Sequence, residues 1–233
     1  MDDSVIDPGV LDIHLPIDDH SETPNLYALK DTIYMVWTSS KNDTTSLYFM
    51  KYQLHDGLSV SGISSGPDWF VNWADFSSLE VDPNNPNHII THWLKKSDEG
   101  TYDYDIKISL SNNGGVSWSS PKNLHDDGVP AEHGFVSISN YNDQYFYASW
   151  LDGRNTKTKN PQDSNKSLPM TVRGGLIHKT TIEIRDFEID NKVCDCCQTS
   201  SIRTTQGMLT AYRDRSDDEI RDISIYMYGN DNQ

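Results

Sequence analysis

The sequence predicts an all-β chain folded as a β-propeller of antiparallel meander blades, and three observations predict it. Four strand-like runs, at 33–38, 89–94, 145–151 and 208–213, carry an aromatic anchor (Trp37, Trp93, Trp150, Tyr212) and lead into a polar cluster. The anchors recur about every 60 residues, slightly longer than known propeller repeats. Each run is followed by a second strand-like stretch (47–53, 104–111, 176–183, 220–228) and preceded by a shorter one (25–29, 77–81, 134–139, 198–203). The unit therefore reads as three visible strands and a weaker fourth, joined by polar turns. Composition is the third observation. Hydrophobic residues make up only 35% of the chain but aromatics reach 10%, which suits a core of Trp, Tyr and Phe on alternating strand faces.

Taken in order, the blades occupy 22–60, 73–124, 132–190 and 195–233 of one domain, 1–233. The second contains Ser111-Asn112-Asn113-Gly114-Gly115-Val116-Ser117-Trp118, read as a tight turn between its third and fourth strands. There the glycines supply positive φ, Ser and Asn side chains bond the turn backbone, and the Trp packs inward. The last blade is incomplete, because the sequence stops where a turn and a final strand are due. Either Val10 to Leu15 completes that blade or further blades are absent; an exposed edge strand would then favour self-association.

Charge and hydropathy exclude two classes of partner. The net charge is -16, and without clustered Lys and Arg there is nothing to displace phosphate counterions, so no nucleic-acid partner is expected. Such an acidic balance also suits a secreted, salt-tolerant surface. No apolar run approaches the roughly 18 residues of a membrane span. Met1 to Ser4 begins without the basic and apolar regions of a signal peptide.

Meander geometry locates a site. Antiparallel strands alternate direction, so the start of each first strand and the exit of each second strand lie at one end of a blade. Glu22–Asn25, Trp73–Phe76, Glu132–Gly134 and Asp195–Gln198 open the first strands. Thr38–Ser40, Leu94–Lys96, Asp152–Arg154 and Arg213–Arg215 leave the second strands. One mouth would then gather Asp75, Glu132, Asp152 and Asp214, the guanidinium groups of Arg154, Arg213 and Arg215, His133, and the thiols of Cys194, Cys196 and Cys197.

The 111–118 turn resembles the Asp-box of bacterial sialidases, Ser-x-Asp-x-Gly-x-Thr-Trp, with Asn113 for the Asp and Ser117 for the Thr. More widely, 68–76, 132–137, Trp150-Leu151-Asp152-Gly153-Arg154, Cys194-Asp195-Cys196-Cys197-Gln198-Thr199 and 212–216 look like segments of bacterial exported, sialidase-like Asp-box (BNR repeat) propellers. The resemblance implies a sialidase-like β-propeller of six blades, about four of them visible here, in an extracellular or periplasmic protein. It implies an exo-glycosidase acting on an acidic sugar at the channel mouth. Arginines would hold the sugar carboxylate bidentately while a Tyr nucleophile, assisted by Glu, works with an acid/base Asp. On this chain Tyr212 would be the nucleophile, Glu132 its base and Asp75 or Asp152 the acid. His133, Arg154, Arg213 and Arg215 would bind substrate. The chain departs from the family in its first blade, where an Arg-Ile-Pro motif is replaced by Glu22-Thr23-Pro24-Asn25-Leu26, and no arginine occurs before Arg154.

Other readings of the same residues stand beside these. Tyr212 occupies the place of Trp37, Trp93 and Trp150 and so reads equally as a core aromatic. Asp152-Gly153-Arg154 reads as a turn closed by its own salt bridge, and 213–222 as a self-neutralising ion-pair lattice. The mouth could serve a noncatalytic glycan- or protein-binding propeller. A glycosidase of this type requires no cofactor, but copper or zinc could use Cys194 and Cys196, on one face of an extended strand, with His133 as a third ligand. Three cysteines leave at least one outside any disulfide within the chain. A further downstream cysteine, implied by the resemblance, would instead make the cluster a disulfide between blades.

Overall fold

The computed structural model describes residues 13–229, which form antiparallel sheets and a single 3-10 turn at Arg154–Lys157. Blade one is β1 (Ser21–Leu29), β2 (Thr32–Lys41), β3 (Thr44–Gln53) and β4 (Gly57–Gly66), paired in that order. Blade two is β5 (Leu79–Val81), β6 (Ile89–Lys96), β7 (Tyr104–Ser111) and β8 (Lys122–Asn123). Blade three starts with β9 (His133–Asn140) and β10 (Tyr145–Asp152). It leaves the sheet for a small hairpin, β11 (Lys159–Asn160) and β12 (Asp163–Ser167), and returns as β13 (Thr171–His178) and β14 (Ile184–Asp190). Blade four has β15 (Ser200–Thr204), β16 (Gly207–Arg213) and β17 (Ile223–Gly229).

Burial explains why the second strands are so legible. Nearly every residue of β6 and β10 is buried, because packed sheets cover both faces, and the sequence answers with the continuous runs IITHWL and YFYASWLD. β1 and β17 instead alternate between half-buried and exposed residues. Between blades one and two lie Val36, Phe49, Val81, Ile89 and Trp93; between two and three lie Ile90, Ile106, Phe146, Trp150 and Ile177. Each fully buried Ile, Val or Phe of this kind contributes about 1.5–3 kcal/mol. Where β2 turns into β3, Asn42 and Asp43 have φ of 51° and 58°, the paired left-handed residues of a two-residue hairpin.

Neighbouring first strands are stitched sideways by side chains. Leu79 N–H donates to Asn25 Oδ1 (3.2 Å), Asn140 N–H to Glu80 Oε1 (3.0 Å), and Ser201 N–H to Ser137 Oγ (2.8 Å). These bonds link β1, β5, β9 and β15 in succession. The 111–118 turn forms as the residues predict: Ser111 Oγ accepts from Gly115 N–H (2.9 Å), and Asn113 Oδ1 accepts from Ser117 N–H (2.9 Å). Gly115, at φ 89°, cannot carry a side chain, since a Cβ there would meet Phe49 of blade one at 2.0 Å. Trp118 packs edge-on to that same ring, with centroids 5.3 Å apart.

Two expectations change. The third strand of blade three is β13, not 176–183, and its Gly174-Gly175 pair lies mid-strand. A Cβ at Gly174 would meet the Phe187 ring at 2.8 Å. The proposed closing segment lies partly outside the described residues (Val10 to Asp12). Its described part, Ile13 to Leu15, is not in a strand, and Leu15 packs on Met35, Trp37 and Met50 of blade one, not on blade four. Among the described residues no helix is long and apolar enough to cross a membrane.

Candidate functional site

Strand pairing fixes which groups share an end. Asp152 pairs with His133 across β10 and β9, Lys96 with Tyr104 across β6 and β7, and Arg213 with Ile223 across β16 and β17. The starts of third strands therefore lie at this end of each sheet as well. A parallel bridge between Tyr104 and Glu132 ties blade two to blade three there.

Three groups of side chains occupy this end. In the first, the Tyr104 hydroxyl donates to Glu132 Oε1 (3.1 Å), and its ring stacks on Phe70 at 4.0 Å. Asp75 lies beside this pair, and its Oδ2 accepts the Phe135 N–H at 2.8 Å. A Cβ on Gly134 would sit 2.0 Å from Asp75 Oδ2, so the carboxylate fits only because that residue is glycine. Phe135 itself has φ 54°, a costly conformation for a bulky residue and one that turns its N–H toward Asp75. Burial pushes the Asp75 carboxyl up to about 7, against the pull of the Phe135 N–H and with help from the Glu132 charge. Burial also raises Glu132, opposed by the Tyr104 hydrogen bond. The Tyr104 phenol is driven far up by burial and by the Asp75 and Glu132 charges, so it holds its proton. Asp75 lines a pocket with Thr23, Thr38, Trp69, Phe70 and Asn72.

Above it the 70–78 loop presents Trp73, 87% exposed. The loop is held on both sides: Asn72 Oδ1 accepts the Ala74 N–H (2.8 Å), and Gln198 Nε2 of the segment leading to blade four donates to the Ala74 carbonyl.

The second group is a buried charge cluster at the seam of blades two and three. Arg154 grips Asp152 through Nε and Nη2, both at 2.7 Å, and reaches Asp127 Oδ2 at 3.3 Å. Trp150 Nε1 donates to Asp152 Oδ2 (2.9 Å). His133 Nε2 lies 3.3 Å from Asp127 and 3.6 Å from Asp152, and its ring stacks on His125 at 3.7 Å. Ligand atoms of Asp105, His125 and His133, and likewise of Asp127, His133 and Asp152, lie within 4.8 Å of one another. Burial pulls the His133 imidazolium down, but the Asp127 bond and the Asp152 charge outweigh it and raise it overall. Burial works against ionisation of Asp127 and Asp152 too, yet the His125 and His133 bonds to one and the Arg154 fork on the other hold both low.

The third group is the cysteine loop. Cys194 and Cys197 form a disulfide, and Cys196 is free and exposed. Arg215 Nη1 pairs with Asp195 (3.2 Å) and its Nε with Glu219 (2.6 Å). Arg213 donates to the Arg221 carbonyl (3.4 Å) and to Cys197 Sγ (3.7 Å), with no carboxylate among its described ion pairs.

The predicted residues thus separate. Asp75 and Glu132 come together, joined by Tyr104. His133, Asp152 and Arg154 form the seam cluster, with Asp152–Arg154 as the self-closed salt bridge of the plainer reading. Arg215 lies in the ion-pair lattice. Tyr212 is not beside Glu132: it is a core aromatic packed with Leu151, Met170 and Val172, and its hydroxyl donates to Asp190 (2.9 Å). The cysteines pair locally, so no staple between blades is needed to close a disulfide. His133 is engaged with Asp127 and Asp152 and with the carbonyls of Tyr104 and Ala131, not with sulfur. Sequence reasoning missed Tyr104, which opens a third strand, and His125 and Asp127, which lie in the connection between blades.

No family model and no curated protein matches the chain. Among solved structures it is similar to the α-L-arabinofuranosidase Arb93A of Fusarium graminearum, with a TM-score of 0.53 at 10% identity over 83% of this chain and 58% of that one. It is also similar to the Penicillium chrysogenum α-L-arabinanase, with a TM-score of 0.51 at 11% identity over 87% and 60%. The chain therefore spans less than two thirds of either. These neighbours are β-propeller glycosidases, and the likeness is one of fold. The NanB sialidase from Streptococcus pneumoniae is more distant, with a TM-score of 0.45 at 12% identity over 87% and 30%, and no argument rests on it.

Proposed function

We infer that the chain is the larger part of a six-bladed, glycan-active propeller, an exo-glycosidase whose mouth takes an acidic sugar. The observation that carries this is the Tyr104 hydroxyl donating to Glu132 beside an Asp75 carboxyl raised to about 7. Glycoside cleavage needs a carboxylic acid to protonate the leaving group and a second carboxylate to act as nucleophile or base. Asp75 supplies the first and Glu132 the second, while Tyr104, a buried core aromatic like Tyr212, positions Glu132 through its hydroxyl. The exposed Trp73 ring offers a stacking face for a sugar. Arg213, whose guanidinium meets only a carbonyl and a sulfur, is the group left for a sugar carboxylate.

Release of a fluorophore from sialoside and arabinofuranoside substrates tests this. Asp75→Asn is expected to lower kcat at least 100-fold, and Arg213→Ala to raise KM for the acidic substrate alone. Saturable sugar binding without release would replace the hydrolase with a noncatalytic binding propeller.

One partner follows from this reading: a carbohydrate at the mouth. The Cys194–Cys197 disulfide supports an extracellular or periplasmic setting, where such bonds persist.

A further inference from the structure

We propose that the cysteine loop, once its disulfide is opened, is a three-thiolate site for a single monovalent copper ion. Cys194 and Cys197 are joined as a disulfide, and Cys196 Sγ lies within 4.8 Å of both their sulfurs. Three sulfurs sharing one ion at a metal–sulfur distance near 2.3 Å stand about 4 Å apart, so once the disulfide opens its two sulfurs must part from bonding distance to that spacing while Cys196 is already within reach. Thiolate donors without imidazole or carboxylate select soft ions, copper(I) first among them. The third ligand is then Cys197 rather than His133, whose ring nitrogens already face Asp127, Asp152 and two carbonyls.

The loop's surroundings set the charge. Arg221 Nη1 approaches Cys194 Sγ at 3.5 Å, and Arg213 Nη1 approaches Cys197 Sγ at 3.7 Å. Asp195 pairs with Arg215, which Glu219 also engages. Three thiolates, two guanidinium groups and one monovalent ion sum to zero, whereas a divalent ion leaves a surplus positive charge in a partly buried loop. The guanidinium groups also favour thiolate over thiol, which reduces competition from protons. The loop is anchored at both ends, by Cys194 N–H on the Arg213 carbonyl (2.9 Å) and by the Thr199 hydroxyl on the Phe135 carbonyl (2.8 Å), so the sulfurs are held near one another before an ion arrives.

The site is redox-gated. In the disulfide form two of the three sulfurs are bonded to each other and cannot serve. Opening that bond takes two electrons and two protons: a dithiol supplies both and leaves as its own disulfide, whereas a phosphine supplies the electrons and leaves as its oxide, with the oxygen and both protons coming from water. Binding then releases the thiol protons to solvent. The inference shares Arg213 with the glycosidase reading but stands or falls apart from it, since copper uptake is read without sugar or turnover.

The test is anaerobic titration of the phosphine-reduced full chain with copper(I) held by bicinchoninate. The reduced chain is expected to withdraw one copper(I) per molecule and to gain a thiolate-to-copper band in the ultraviolet. Cys196→Ser, an exposed position where the fold is preserved, is expected to weaken retention at least tenfold, with an unchanged circular dichroism spectrum as control. The disulfide-closed chain is expected to leave the chelator loaded. Failure of the reduced chain to withdraw copper, equal retention by Cys196→Ser, equal uptake by the closed form, or tighter retention of zinc than of copper(I) would each overturn the proposal.

Discussion

The seam between blades two and three and the mouth of blade four use the same residue types to opposite ends. At the seam, Asp152 and His133 are fully buried, and Asp127 and Arg154 are largely covered. At blade four, Arg215 meets Glu219 and Asp195, both more than half exposed, and Lys192 meets Asp217 in open solvent. Coulomb attraction is strong in the first setting and screened in the second, but removing charges from water is costly only in the first. The seam charges are thus mutually dependent, while those of blade four are nearly independent. Bonding pattern alone would not have separated them.

The largest expected effect is at Arg154. Arg154→Ala leaves Asp152 and Asp127 buried without their shared cation and should destabilise the chain by about 3–5 kcal/mol. Urea unfolding reads this directly, and a loss below 1 kcal/mol would erase the contrast between the regions. Gly134→Ala comes next. Its methyl group would occupy the position of Asp75 Oδ2, and the forced shift should cost about 1–3 kcal/mol. The same variant should move the alkaline limb of any hydrolytic activity, which in the parent is expected to fall as pH rises through about 7 and Asp75 loses its proton.

A pH series separates the regions again. Asp127 and Asp152 are held low in the fold, so their contribution is present above the unfolded value near 3.9 and is lost as pH falls toward their folded values. His133 is raised, so its contribution is full below about 6.5 and is lost as pH rises through its folded value. The seam should therefore stabilise most between about pH 4 and 6.5. His133→Gln should flatten the alkaline side of that profile in thermal melts. The smallest effect is expected at Arg215→Ala, less than about 1 kcal/mol and absent at high salt. A loss of 2 kcal/mol there would show that the lattice is more protected than its exposure implies.

Much of this was legible before any coordinates. Strands buried on both faces, β2, β6 and β10, announce themselves as unbroken apolar runs, and β7 was placed to the residue because aromatic and β-branched residues alternate along it. The Gly174-Gly175 pair hid β13, since the need for glycine there comes from Phe187, a contact that no local pattern reveals. At the mouth, following two strands of each meander found Glu132 and Asp75 but passed over Tyr104, because the third strand starts at the same end and was not followed there. Asp152 and Arg154 read both as an acid with a substrate-binding group and as a turn closed by its own salt bridge; spacing does not choose between these, and the structure shows the salt bridge. That His125 and Asp127 complete their surroundings depends on the path of a loop between blades, which spacing does not encode.

The sideways stitches between β1, β5, β9 and β15 bear on how the chain comes apart. Each stitch joins two blades that also share an apolar cluster, so loosening one blade exposes its neighbour's packed face. Amide exchange should therefore be slowest in β6 and β10, the strands covered on both faces.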